Sequence, residues 1–176
     1  TTPIPAQIRI LKDICNYIKE CCSNDGQNIY WSVENNSIGE GALIVIRDMG
    51  EENIPGMCVS EPIRKGHVRK FRKGFNTTHS TKISACTRLK NMVENDKLII
   101  NSKVLVSELK AFVASGSSFK AKPGENDDLV SACLLSMRIM AVLKDWDPRV
   151  YDTFNQADTG DEQTPPMPIF VSTNIR

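Results

Sequence analysis

Apolar side chains along the N-terminal quarter recur with helical spacing. Ile8, Leu11, Ile14, Cys15, Ile18 and Cys22 fall on one stripe behind Pro3 and Pro5, which predicts an opening helix. The pattern then changes. Ser23–Gln27 is rich in turn formers, and Asn28–Glu34 is aromatic and β-branched, the mark of a short buried strand. A second helix is expected from about Gly39 to Met49, closed by Gly50. Met57–Glu61 reads as an edge strand stopped by Pro62. Ile63–Lys73 reads as a basic hairpin turning at Gly66, anchored by Val68 and Phe71. Ile83, Cys86, Leu89, Met92 and Val93 predict a helix that stops at Asn95-Asp96. Beyond it come a short strand at Lys97–Ile100, an amphipathic helix at Val104–Phe112 and an extended piece at Ser117–Ala121. Helix alternating with strand predicts a parallel α/β layout, in which ligands gather beyond the carboxyl ends of strands. Glu34 stands at such an end.

The run Lys120–Leu135 has the strongest contrast of polarity. Pro123 and Gly124 break the chain, and Glu125, Asn126, Asp127 and Asp128 concentrate acid together with a helix-capping residue. Leu129, Val130, Ala132, Cys133, Leu134 and Leu135 then open a helix that is apolar on most sides and runs to about Lys144, with Asp147-Pro148 to end it. Two accounts of the acids stand side by side. Asn126 is a good N-cap, and first-turn acids favour the helix dipole by about 0.3–1 kcal/mol each. Alternatively, like charges beside a core repel, and a divalent cation would relieve them if a carboxylate from elsewhere joined the site. Glu34 is the candidate for that third group.

Glu34, Asp127 and Asp128 would then serve two-metal phosphoryl chemistry, which needs carboxylates from separate elements. Magnesium prefers oxygen ligands and keeps several waters, so few protein groups suffice. Neighbouring helical side chains diverge by about 100°, so one of Asp127 and Asp128 at most is a direct ligand without help. Arg64, Lys65, Arg69, Lys70, Arg72 and Lys73 form either a solvated face or a patch for phosphate contacts that read no sequence. Thr77, Thr78, Ser80 and Lys82 would add phosphate contacts at a helix start. His67 and His79 have no partner at ligand spacing and read as surface or hydrogen-bonding histidines; His79 is close enough to the hydroxyl cluster to touch a phosphate. Trp31 reads as core, and Glu40, Ser107 and Glu108 as helix surface. No glycine-rich loop ending in Lys-Ser or Lys-Thr is present, so no ATPase phosphate cradle is expected.

Composition changes little in this picture. The chain has 176 residues, 40% apolar and 24% charged, with a net charge of +1, which fits one domain with a real core and no global basic field. No apolar run approaches the ~20 residues of a membrane span, and no signal peptide is evident. Six cysteines (Cys15, Cys21, Cys22, Cys58, Cys86, Cys133) lack CxxC spacing and suit buried thiols in a reducing cytoplasm.

The segments NIYWSVENNSIGEGAL (28–43), GFNTTHSTK (74–82), SELKAFV (107–113) and KAKPGENDDLVSACLL (120–135) together resemble the C-terminal nuclease domain of tailed-bacteriophage terminase large subunits. The closest likeness is to the type found in large contractile-tailed phages. It runs in order from about residue 5 to about residue 145, and the ENN and NDDLV segments are its most specific parts. The resemblance implies an RNase H-like (resolvase/integrase-like) α/β fold, a mixed sheet flanked by helices. It also implies Mg2+-dependent (or Mn2+-dependent) endonuclease cleavage of concatemeric double-stranded DNA, at packaging initiation and when the head is full. Glu34 matches the family's strand-end glutamate, and Asp127-Asp128 its last acidic motif. Arg64–Lys73 and Lys82 would grip the DNA backbone. Expected partners are the portal or procapsid and the small terminase subunit, in the cytoplasm of an infected bacterium, with no membrane. ATP would act only through a separate motor domain.

One departure is plain. The family's first catalytic aspartate lies on an opening strand ahead of the first helix, and this sequence begins at that helix. Asp13 and Asp48, at a mid-helix and a helix-end position, do not replace it. The expected organisation is therefore a nuclease domain over 1–148, incomplete at its N-terminus and including the basic hairpin within 57–73, followed by a tail over 149–176. Two rival readings are a non-catalytic DNA-gripping or portal-docking module of the same motor, and another RNase H-like nuclease such as a junction resolvase.

Overall fold

The computed structural model describes residues 2–21, 29–62, 73–116 and 118–146. Its elements follow in the order α1 (Ile4–Cys21), β1 (Tyr30–Trp31), α2 (Ser37–Met49), a 3-10 turn (Glu51–Asn53), β2 (Met57–Cys58), α3 (His79–Glu94), α4 (Lys103–Ala111), β3 (Phe112–Ser115), β4 (Ser118–Ala121) and α5 (Asp128–Trp146). The architecture is mixed α/β, mostly helical, with few and short strands. No helix among the described residues is long and apolar enough to cross a membrane.

β1 and β2 pair in parallel, Tyr30 opposite Met57 and Trp31 opposite Cys58. Parallel neighbours need a crossover, and α2 supplies it. The pairing of the β1 chain continues past Trp31, where Glu34 forms a parallel bridge with Phe75. Residues 29, 31 and 33 offer their carbonyls on one side, first to Met57 and Val59 and then to Phe75. The segments around 58 and 75 therefore follow one another along the same edge. Glu61 donates its N–H to the Gly74 carbonyl at 3.1 Å, joining the flanks of residues 63–72, which lie outside the described residues.

Side chains alternate across a strand, and the burial pattern uses that alternation. Ile29, Trp31 and Val33 join Ile8 and Cys15 of α1, Ile46 of α2 and Ile54 in one core. Tyr30 faces the other way, into a cluster with Val59, Phe75 and residues Leu135, Ile139, Val142 and Leu143 of α5. The short sheet is thus sandwiched between α1/α2 on one face and α5 on the other. By the same alternation Glu34 belongs to the α5 face.

α5 is buried on two sides. Val130, Leu134 and Met137, spaced i, i+4, i+7, pack against Ala85 and Leu89 of α3, with Leu105, Leu109 and Phe112 around them. Its other flank covers the sheet. This agrees with the predicted core helix, although Leu129 in its first turn is exposed.

Two expectations need correction. Lys97–Ile100 is not a strand. Asp96 takes a left-handed conformation (φ 54°), and the N–H groups of Asp96 and Lys97 return to the Val93 and Met92 carbonyls at 3.3 and 2.8 Å. That is a Schellman end to α3, and Leu98, just past it, packs into the core. Next, Phe112 does not continue α4. It begins β3, which pairs antiparallel with β4 from Phe112–Ala121 to Ser115–Ser118. Here the β-branched and aromatic Phe112-Val113 pair outweighs helical spacing, because a partner strand is close. Met57–Cys58, by contrast, is an edge strand as expected, paired with β1 alone among the described residues. The proposed hairpin at Ile63–Lys73 lies almost wholly outside the described residues, as do the Cys22 end of the first stripe, His67 and the tail at 149–176.

Candidate functional site

Glu34 is held by backbone on three sides. Phe75 donates to the Val33 carbonyl at 3.0 Å and Asn35 donates to the Phe75 carbonyl at 2.7 Å, clasping the glutamate between them. Asn35 Nδ2 reaches the Lys73 carbonyl at 3.0 Å. Asn36 caps α2: its side-chain oxygen accepts from Gly39 N–H at 2.8 Å, while its own N–H turns back to the Glu34 carbonyl at 2.9 Å. The ENN triplet is therefore first of all a strand-to-helix joint, with each asparagine tying down a turn that Asn residues favour.

Gly39 completes that joint. A Cβ added there would lie 1.7 Å from the Glu34 carbonyl oxygen, so helix and strand end meet at a distance that excludes every other residue. Gly74 makes a similar approach from the neighbouring segment, with φ at 78° and a virtual Cβ 2.3 Å from the Val33 oxygen. The Glu34 carboxylate itself is half-buried. Its Oε2 accepts a long bond of 3.4 Å from Asn36 Nδ2.

Arg138, midway along α5, reaches the same corner. Its side chain is 11% exposed. Nη1 donates to Thr77 Oγ1 at 3.1 Å, and Nη2 to the Asn76 carbonyl at 3.0 Å and to Glu61 Oε1 at 3.4 Å. The guanidinium carbon lies 4.9 Å from the centroid of the Phe75 ring. Burial pushes the Arg138 pKa down, while the charges of Glu61 and Glu34 oppose that shift. The sequence reading missed Arg138 and Glu61. An arginine within an otherwise apolar helix was the available signal.

Asp127 and Asp128 occupy a different setting. Glu125 N–H bonds to the Lys122 carbonyl at 3.0 Å, and Gly124 has φ 88°. With Pro123 ahead of it this is a type II turn, which needs glycine at that place. Ser131 N–H then bonds to the Asp127 carbonyl at 2.8 Å, so Asp127 rather than Asn126 takes the N-cap place. The next free amides are satisfied from another helix: Glu108 Oε2 of α4 accepts from Leu129 N–H at 2.8 Å and Val130 N–H at 3.2 Å. Glu108, expected to lie on a helix surface, is thus the cap of α5. Sequence could not show it, because the contact spans 21 residues and depends on how α4 packs. Three carboxylates (Glu108, Asp127, Asp128) share this helix end.

Glu34 lies on the sheet face that the Leu135–Leu143 part of α5 covers, whereas the aspartates stand at the start of that helix, beside α4. Ten residues separate Asp128 from Arg138, about 15 Å of helix axis. Among the described residues no three His, Cys, Asp or Glu side chains come together as a group able to hold a metal ion. As ligand chemistry, Glu34, Asp127 and Asp128 offer carboxylate oxygens alone, without thiol or imidazole, and this donor set fits a hard cation such as Mg2+ or Mn2+.

Of the basic residues singled out, Lys73 is ion-paired with Glu51. Lys82 lies 5.3 Å over the Phe112 ring. Arg64, Lys65, Arg69, Lys70 and Arg72 fall outside the described residues. Thr77 is engaged by Arg138, and Thr78 caps α3 through a reciprocal bond with Thr81. A comparison of the chain with models of known protein families finds no match.

Proposed function

We propose that this chain is the RNase H-like nuclease domain of a viral DNA-packaging terminase, a metal-dependent endonuclease that cuts concatemeric double-stranded DNA at packaging initiation and termination. One observation carries the reading. The glutamate of the ENN segment stands at the carboxyl end of a parallel strand pair, where α/β proteins place their chemistry, and the helix that opens with the NDD segment packs over the same sheet. The order of segments resembles the family from about residue 5 to about residue 145.

In this reading Glu34, Asp127 and Asp128 would hold Mg2+ or Mn2+, and the bound ion would supply the Lewis-acid charge that hydrolysis of a phosphodiester needs. The chain's own groups do the rest. Gly39 and the bridge to Phe75 fix where Glu34 stands, and Glu108 fixes where α5 begins. Lys82, Lys73 and the basic residues Arg64, Lys65, Arg69, Lys70 and Arg72 contact phosphates without reading bases. Lys73 must exchange Glu51 for phosphate to do so. The portal or procapsid, the small terminase subunit and a separate ATP-driven motor domain are the partners, in the host cytoplasm.

A plasmid-nicking assay with Mg2+ or Mn2+ tests this. Glu34→Gln, and Asp127→Asn or Asp128→Asn, should reduce nicking by about a hundredfold or more while DNA binding persists. DNA binding without any metal-dependent cutting would instead favour a gripping or portal-docking module. A preference for branched over linear duplex DNA would favour a junction resolvase.

A further inference from the structure

Glu34 and the Asp127–Asp128 pair sit on different elements, and a site built from both needs something to fix α5 against the strand end. Arg138 is placed to do this. It springs from the helix that begins at Asp128, and its fork holds Thr77 Oγ1, the Asn76 carbonyl and Glu61 in three directions. Its plane covers Phe75, whose backbone is bridged to Glu34. A path of short contacts thus runs from α5 through Arg138 and Phe75 to Glu34.

A purely structural staple would not need this chemistry. Phe75 is 2% exposed, and an aliphatic residue at 138 would cover it without placing a cation in a corner only 11% exposed. The burial is unfavourable in itself, and it is offset by three hydrogen bonds from Nη1 and Nη2 and by two carboxylates nearby. Three hydrogen bonds and the Phe75 ring together hold the guanidinium in one orientation, which apolar packing alone would specify less narrowly.

We infer that Arg138 is a positioning residue of the proposed nuclease site, setting the height of α5, and hence of Asp127 and Asp128, relative to Glu34. The inference rests on the nuclease reading for its catalytic consequence but not for the tie itself.

Two variants test it. Arg138→Lys keeps the charge and loses the planar fork; Thr77→Val removes one acceptor and leaves the arginine in place. Each is measured for melting temperature, for Mn2+ affinity by titration of the intact chain, and for kcat and KM of nicking. The expected result is a kcat about tenfold or more lower with an unchanged KM for DNA, and Mn2+ binding weakened severalfold, in protein that still melts above the assay temperature. Wild-type kcat and Mn2+ affinity in both variants would overturn the inference. Should Arg138→Lys fail to fold, Thr77→Val decides alone.

A denaturation cycle combining Thr77→Val with Arg138→Lys separates the tie from its catalytic consequence. Non-additive unfolding midpoints support the tie even if the wild-type chain never cuts DNA, in which case the nuclease reading is what falls. Additive midpoints overturn the tie even if cutting is observed.

Discussion

Glu34 and the Asp127–Asp128 pair are proposed for the same chemistry, but the molecule holds them by opposite means. Glu34 is set by main chain: a parallel bridge, a capping asparagine and a glycine pressed against its own carbonyl. Asp127 and Asp128 are set by a turn and by a single carboxylate borrowed from α4. At the Glu34 carbonyl, on the side that Gly39 faces, there is no room for another atom. Around the turn before Asp127 there is open space, since a Cβ added at Gly124 would meet nothing within 4 Å. One half of the candidate site is therefore rigid by steric exclusion and the other is adjustable. The adjustable half sits where charge changes most when a cation arrives, so ligand binding should order it more than it orders the strand end.

A pair of matched glycine substitutions should expose the contrast most clearly. Gly39→Ala forces a Cβ into the Glu34 carbonyl, and we expect a loss of about 3 kcal/mol or more in urea unfolding, because backbone rather than a side chain must move. Gly124→Ala meets no atoms and carries only the strain of a left-handed φ, about 1 kcal/mol. Equal effects at the two sites would remove the distinction between a fixed and an adjustable half.

Between these in size lies Glu108→Ala. Two helix amides lose a charged acceptor and regain water in part, so the expected cost is about 1–2 kcal/mol in stability. Helix fraying at Leu129–Val130, read by hydrogen exchange, should accompany it. Unchanged protection of those amides would show that the carboxylate is dispensable to the start of α5.

The smallest effect concerns Cys58, on the strand beside β1. Burial, reinforced by the Glu51 charge, pushes its thiol pKa up to about 11. The folded state then favours the neutral thiol. Its contribution to stability is complete below the ordinary thiol pKa of 9.0 and declines as pH rises from there toward about 11, where the folded thiol also ionises. At pH 8 alkylation should mark the exposed Cys21 well before Cys58. Equal labelling rates would mean that the sheet opens readily, contrary to the rigid half of the comparison.

The helices were legible because their apolar spacing reports burial on one side of a cylinder. α1, α2 and α5 lie close to where the pattern put them, and Asn36 and Gly39 around Glu34 are local residue types with local reasons. α5 was recognisable as a core helix from its apolar first turns, though not that Leu129 stays exposed. The short strand at Phe112–Ser115 was hidden inside a helical pattern, because its preference is settled by β4. Leu98 was read as strand for the same cause: an apolar residue in an extended segment gives no sign of whether a strand or a helix end receives it. Glu108 and Arg138 looked ordinary for a different reason. Nothing within their own turns reveals that one reaches the amides of α5 and the other a corner made from residues 61 to 77.

By itself, then, the sequence determined which stretches are amphipathic, where turns fall, and which acids stand at the ends of elements, since those properties depend on neighbours within a few positions. Tertiary structure alone decided which face of the sheet Glu34 looks toward, that α5 runs past it, and that Glu108 and Arg138 connect the parts. Such contacts join residues tens of positions apart, and their free energy exists only once the layers have packed.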